Sequence, residues 1–269
     1  MTSIDRNDSR AAESSKIEPD APWLWLGAGW RDLWQAPRVS LAYGMLFALV
    51  SGLLTWSLFQ LNLQYLLLPM AAGFMLIGPM LAVGLYEISR RIEEDEPITL
   101  RAALFVATRS PTQLAFLGAL LMLMLLAWIR IAQLIYALFF GLTPFPGFEE
   151  SITLVFFTSE GLGMLAVGTV VGGAIAATVF ATAAFAVPML MVRDKDAISA
   201  MLSSVAAVRR NPLPLLVWGW LVVVLIATGI VTLYIGLIIT FPLVGHATWH
   251  AYRHVIDGVP PRQDYEPGR

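Results

Sequence analysis

The chain contains no cysteine among its 269 residues. That excludes disulfides, Cys-ligated zinc, iron–sulfur clusters and thiol nucleophiles. Charge is scarce as well: Asp, Glu, Lys and Arg make up only 13% of the residues. Lysine is nearly missing, since only Lys16 and Lys195 stand among the 17 basic residues. A net charge of −2 gives no basic face, which argues against nucleic acid as a partner. Only 3 His are present, too few for haem–copper chemistry. No phosphate-cradling loop, dinucleotide glycine signature or Ser/His/Asp arrangement is readable along the chain.

What fills the sequence is apolar: 58% of the residues are hydrophobic. Soluble domains carry about 25% charged residues, so this chain cannot clothe a soluble surface. It reads as a polytopic membrane protein. A span needs about 20 mostly apolar residues. Six are expected, at about 39–59, 65–89, 113–140, 163–192, 213–229 and 231–252, the last two from one uncharged stretch folded near Thr228-Gly229. One span plus a re-entrant segment is the alternative reading of 213–252. Residues 1–20 read as a disordered cytoplasmic tail, 21–257 as a single membrane domain and 258–269 as a second cytoplasmic tail.

Arg31, Arg38, Arg90, Arg91, Arg193, Arg210 and Arg253 flank the spans on one side, while the loops 60–64 and 141–162 hold no basic residue. The positive-inside rule therefore expects both termini in the cytoplasm. Three short stretches ending in Pro37, Pro111 and Pro212 precede the three pairs of spans, and Pro79, Pro188 and Pro242 recur in the second span of each pair. The words Pro79-Met-Leu-Ala-Val83 and Pro188-Met-Leu-Met-Val192 match. The expected fold class is all-α: a transmembrane bundle of three helical hairpins, each preceded by a short interfacial amphipathic helix. Trp23, Leu26, Trp30, Leu33 and Trp34 share one face of the first such helix, and Ile198, Met201, Leu202, Val205 and Val208 one face of the last. Asp196 is placed to cap the latter. The Gly and Ala residues of 161–184 point to close helix packing, which makes the fourth span the expected centre and its small face a contact for the chain itself or another membrane protein.

Few residues are chemically suggestive. Arg130 is the one charge well inside an expected span. It reads either as an anchor paired with Glu149, Glu150 or Glu160, or as a site for an anionic ligand. His246 and His250 stand four apart on a helix, a spacing that two metal ligands could use, though no further His, Cys or zincin-type Glu joins them. Interfacial hydrogen bonding is the competing reading. Glu87 precedes Arg90 and Arg91 by three and four residues, a helix-ending ion pair. No catalytic residue and no cofactor is assigned.

Several blocks are similar to a bacterial integral-membrane family known as domain of unknown function 2189. They are Gly29-Trp-Arg-Asp-Leu33, Ser40-Leu-Ala-Tyr-Gly44, Ala71-Ala-Gly-Phe74, Gly78-Pro79, Ala82-Val-Gly-Leu-Tyr-Glu-Ile-Ser-Arg-Arg91, Asn211-Pro212 and Gly245-His-Ala-Thr-Trp-His-Ala-Tyr-Arg253. The resemblance implies a proteobacterial inner-membrane protein of several helices with no established activity. The leading expectation is a non-enzymatic component of the inner membrane, in membrane organisation or a membrane complex. A small-solute transporter or channel is the alternative, and a membrane-embedded enzyme or redox subunit the third.

Overall fold

A computed structural model of the protein describes residues 17–141 and 148–261. The tail residues 1–16 and 262–269, and residues 142–147 of the expected external loop, lie outside the described residues. The described chain is helical, with no strand among its residues. In chain order the helices are α1 (Ala21–Gln35), α2 (Pro37–Gln60), α3 (Leu67–Leu81), α4 (Val83–Glu93), α5 (Leu100–Leu104), α6 (Pro111–Phe140), α7 (Phe148–Phe157), α8 (Ser159–Ala183), α9 (Ala186–Val192), α10 (Ala197–Arg210), α11 (Pro212–Val231) and α12 (Leu237–Asp257). Five stretches are long and apolar enough to cross a membrane: Pro37–Gln60, Gln64–Glu93, Pro111–Phe140, Ser159–Val192 and Pro212–Val231. They lie within a few residues of the first five expected spans. α12 does not join them, because His246, His250, Arg253 and His254 dilute its apolar content.

Proline opens three of these helices. Pro37, Pro111 and Pro212 each sit at a helix start, where the missing N–H is one that no helix could have used. The residues before them adopt nearly one conformation: φ −126, ψ 52 at Ala36, φ −127, ψ 66 at Ser110 and φ −127, ψ 57 at Asn211. Steric pressure from the proline ring keeps a preceding residue out of the helical region, so each junction turns sharply. A shorter helix thus meets a long apolar helix through the same bend at both α1–α2 and α10–α11. The helix before the Pro111 junction is short, since α5 has only 5 residues.

The second and fourth spans break. α3 gives way to α4 at Ala82, and α8 to α9 at Ala184-Phe185. Each break leaves backbone groups that need partners inside an apolar environment. The Tyr43 hydroxyl donates to the Leu81 carbonyl at 2.9 Å, and the Phe185 amide donates to Ser204 Oγ at 3.4 Å. A proline in the third such helix, Pro242, causes no break. It leaves the carbonyl of Ile238 without its helical donor, and the backbone of Gly44 closes over it: a methyl at Gly44 would stand 2.4 Å from that oxygen.

The centre of the bundle is α12 and not the fourth span. From Val244 to Tyr252 every residue of α12 is buried, all round the helix. Glycines let its neighbours reach it. A methyl at Gly29 of α1 would meet the Ala247 amide nitrogen at 2.6 Å, and one at Gly245 would meet Leu85 Cδ1 of α4 at 2.4 Å. The glycine stripe of α8 is used only in part. Gly172 faces the Trp128 ring and Gly163 the Phe139 ring, but Gly168 and Gly173 face open space.

The last hairpin also differs in detail from the sequence expectation. Thr228 and Gly229 remain helical, and the chain turns over Thr232–Gly236, with Leu233 and Tyr234 at positive φ. Gly229 is needed for packing, since a methyl there would lie 2.4 Å from Leu237 Cδ2. The Thr232 hydroxyl accepts from the Gly236 amide at 2.9 Å and so closes the turn without it. Two helices result, α11 and α12.

Candidate functional site

The ion-paired side chains of the described residues converge at one end of the bundle, where α1, α4, α9 and α12 meet. Because α12 is enclosed by other helices, it can carry imidazoles that a lipid-facing helix could not. His246 is fully buried, and both its ring nitrogens are engaged: Nε2 lies 3.0 Å from Ser40 Oγ and Nδ1 2.8 Å from Ser89 Oγ. Hydroxyls both donate and accept, so two of them serve an imidazole in either tautomer. This Ser/His constellation escaped the sequence reading because its members lie 157 and 206 residues apart. All three side chains have 0% exposure, which keeps any substrate from a serine nucleophile here.

One turn further along, His250 Nε2 donates to Asp32 Oδ2 at 2.8 Å, and its Nδ1 lies 3.7 Å from Glu93 Oε1. Glu93 also faces Arg253 Nε at 3.2 Å. Arg253 in turn donates to Asp257 at 2.5 Å, and Arg193 pairs with the same carboxylate. His254 Nδ1 accepts from the Trp25 indole at 3.2 Å. The two candidate metal ligands therefore have different partners, and no group of three or more potential metal ligands occurs among the described residues. Their i, i+4 spacing joins α12 to α1, α2 and α4.

Glu87, Arg90 and Arg91 come together as well. Arg90 holds Glu87 through two bonds of 2.9 Å, and Arg91 Nε donates to Glu87 Oε1 at 2.6 Å. Arg90 also donates to Glu96 at 2.8 Å and pairs with Glu94. The Arg90 guanidinium holds the Glu96 carboxyl below the ordinary glutamate value. Glu87 is buried, with 4% exposure, and has two arginine partners there.

Between α4, the segment before α6, the end of α9 and α12 lies a cavity of about 410 Å³. Its walls include Glu87, Arg90, Glu93, Glu94, Arg109 and Arg253, with Met191, Val192 and Trp249 as the apolar part. A second, larger cleft of about 1020 Å³ opens between α3, α6, α7 and α8. It is lined mostly by apolar side chains and by the Gly168–Gly173 surface, and it includes Thr169 but neither Arg130 nor Thr178.

Among the described residues, Arg130 meets neither Glu150 nor Glu160. Its side chain is exposed on α6 and donates to Gln133 Oε1 at 3.2 Å. Glu160 accepts from its neighbour Ser159, Glu150 is exposed, and the side chain of Glu149 falls outside the described residues. No ion pair joins Arg130 to Glu150 or Glu160 among the described residues. The reason is local, because a Gln three residues along the same helix is always within reach.

Part of the polar end, the segment carrying α4 and α9, falls within a stretch that matches a known family model. The chain resembles the family described as predicted integral membrane protein (DUF2189), whose model matches residues 67–192. No curated protein and no solved structure matches the chain. The DUF2189 match runs from α3 to α9 and takes in Glu87, Arg90, Glu93, Arg109 and Met191. Asp32, Ser40, His246, His250 and Arg253 lie outside it, as do the blocks Gly29–Gly44 and Gly245–Arg253 that also carried the resemblance. The match and the five apolar helices together identify an integral membrane protein.

Proposed function

We propose that this chain is a non-enzymatic component of the bacterial inner membrane, with six spans and both termini in the cytoplasm. Its role is to organise the membrane or to hold a larger membrane complex. The observation that carries this reading is the closure of the polar end. The imidazole of His246 is taken by two serines, and Glu87, Glu93 and Asp257 are each matched to arginines. The larger cleft has no charged residue in its lining, and Arg130 reaches only Gln133 at its edge. A transport path built from repeated hairpins would need polar groups near the midplane.

The outer faces fit the same reading. On α1, Trp23, Trp30 and Trp34 are exposed, while Trp25, Ala28, Gly29 and Asp32 pack inward. On α10, Ile198 and Leu202 are exposed, while Ala197, Ala200, Ser204 and Ala207 pack inward. Both helices bury one face, with Trp25 and Leu33 among the small residues of α1, and leave other large apolar side chains outward, as helices lying in the headgroup layer do. The common bend before Pro37, Pro111 and Pro212 supports three repeated units.

Copurification of the full chain from native membranes in mild detergent tests the function. A reproducible protein partner is the expected result, and a chain that emerges with none would sink the complex. Reporter fusions at Gly141 and after Asp257 test the topology. The expected outcome is an external signal at the first and a cytoplasmic one at the second; an external C-terminus would overturn the six-span arrangement.

A further inference from the structure

We infer that the charged cavity at the polar end binds a zwitterionic phosphoethanolamine group, the headgroup chemistry of an abundant class of membrane lipid. The inference rests on the membrane placement proposed above and gives that end of the bundle a ligand. Three carboxylates, Glu87, Glu93 and Glu94, and three guanidiniums, Arg90, Arg109 and Arg253, line the cavity. Five of these six charges already have partners. Arg90 is shared by Glu87, Glu94 and Glu96, and Arg253 by Glu93 and Asp257. The side chain of Arg109 has neither a hydrogen bond nor an ion pair among the described residues. Its backbone is nonetheless fixed, with its amide donating to the Met191 carbonyl at 2.9 Å.

The cavity therefore presents one unspent cation opposite a group of acids in which Glu87, Glu94 and Glu96 share Arg90. A lone anion drawn to Arg109 would face three carboxylates, and a lone cation would face three guanidiniums. An occupant carrying both charges satisfies both sides: its phosphate on Arg109, its ammonium on the half-exposed Glu94 and on Glu93. A primary ammonium has N–H donors for these carboxylates, and a trimethylated one does not. The depth is right for a headgroup, because Glu93 and Val192, where two apolar spans end, both line the cavity. Next to it on the chain, Leu104 and Phe105 are 45% and 78% exposed, an apolar surface suited to acyl chains beside the cavity mouth. The volume of about 410 Å³ lies within the range of small-molecule sites.

The test uses the full chain, delipidated in detergent and offered vesicles of phosphatidylethanolamine, phosphatidylglycerol or phosphatidylcholine, with retained lipid measured by native mass spectrometry. Phosphatidylethanolamine is expected to be retained above the other two. Arg109→Gln should weaken that retention by about tenfold, the loss of one charge-assisted contact. Arg109→Lys should recover part of it. Because the Arg109 side chain makes no hydrogen bond or ion pair among the described residues, the melting temperature of lipid-free Arg109→Gln should equal that of the wild type. Glu94→Gln should narrow the preference over phosphatidylglycerol. Displacement by free O-phosphoethanolamine would identify a soluble headgroup as the ligand source, and retention against it the diacyl lipid. Equal or better retention of phosphatidylglycerol by the wild type, or unchanged retention by Arg109→Gln, would overturn the proposal. The reporter fusions separate the two readings: lipid preference with an external C-terminus defeats the topology alone, and a cytoplasmic C-terminus without preference defeats the cavity alone.

Discussion

His246 carries more structural weight than any other polar side chain of the bundle. It touches hydroxyls from two other helices, and its removal leaves both without a partner in a site water does not reach. Each orphaned buried hydroxyl costs about 1–3 kcal/mol, and the space left by the ring adds to that. His246→Ala is expected to lower stability by about 2–5 kcal/mol in detergent unfolding. Ser40→Ala and Ser89→Ala should each cost less, since one ring nitrogen keeps its partner. Asp196 offers a pH-dependent counterpart at the surface. Its carboxylate accepts from the Ser199 amide at 2.8 Å, and hydrogen bonding from the Ser199 side chain, then from that amide, holds its pKa below the usual aspartate value. A depressed folded pKa contributes stability that is full above the unfolded value and lost as pH falls through the folded one. The Ser199 amide should stay protected from hydrogen exchange at mildly acidic pH and lose protection only in strong acid. Loss near neutrality would contradict the cap.

The capping role of Asp196 was legible in the sequence because its bonding partner lies three residues away. The Ser40–His246–Ser89 bridge was not, since nothing local distinguishes a serine that will face an imidazole from one that will bond its own helix. For Arg130, the partner among the described residues is a local one, Gln133 three residues along the same helix.

Helices carry the next level of the argument, and glycine positions discriminate among them. Gly44 and Gly52 lie on the same spanning helix, α2. A methyl at Gly44 would stand 2.4 Å from the Ile238 carbonyl oxygen, whereas one at Gly52 would meet nothing within 4 Å. Gly44→Ala should force α2 and α12 apart and destabilise by about 1–3 kcal/mol. Gly52→Ala should be neutral or stabilise by up to about 1 kcal/mol, through helix propensity alone. Equal effects of the two substitutions in thermal unfolding would refute this account of the α2–α12 contact. Small residues in the fourth span looked equally important in the sequence. They differ in fact, because which face meets a neighbour is set by the arrangement of other helices and not by the stripe itself.

At the level of the whole molecule, α12 closes the bundle from the far end of the chain. It packs against α1, α2 and α4, and its loss would expose Leu85, Trp25 and Trp218, all with 0% exposure. A chain ending at Gly236 should therefore fail to form a protease-resistant bundle in detergent. The segment 67–192 alone should fail likewise, although it is the part that matches the family. Limited proteolysis with mass spectrometry checks both. A stable core from either would mean that the centre lies elsewhere.

Scarce charge and long apolar runs already determined the location in a membrane, the helical class, the first five spans and the sharp proline junctions. Each of these depends on residues adjacent in the chain: hydrocarbon excludes charge, and a proline ring constrains the residue before it. Tertiary structure alone decided which helix is central. The most polar of the long helices occupies that place because burial among protein partners, not apolarity, is what an imidazole inside a bundle requires. It alone also gathered Glu87, Glu93, Arg109 and Arg253 around one cavity, since charges from separate segments meet only where the helices that carry them end together.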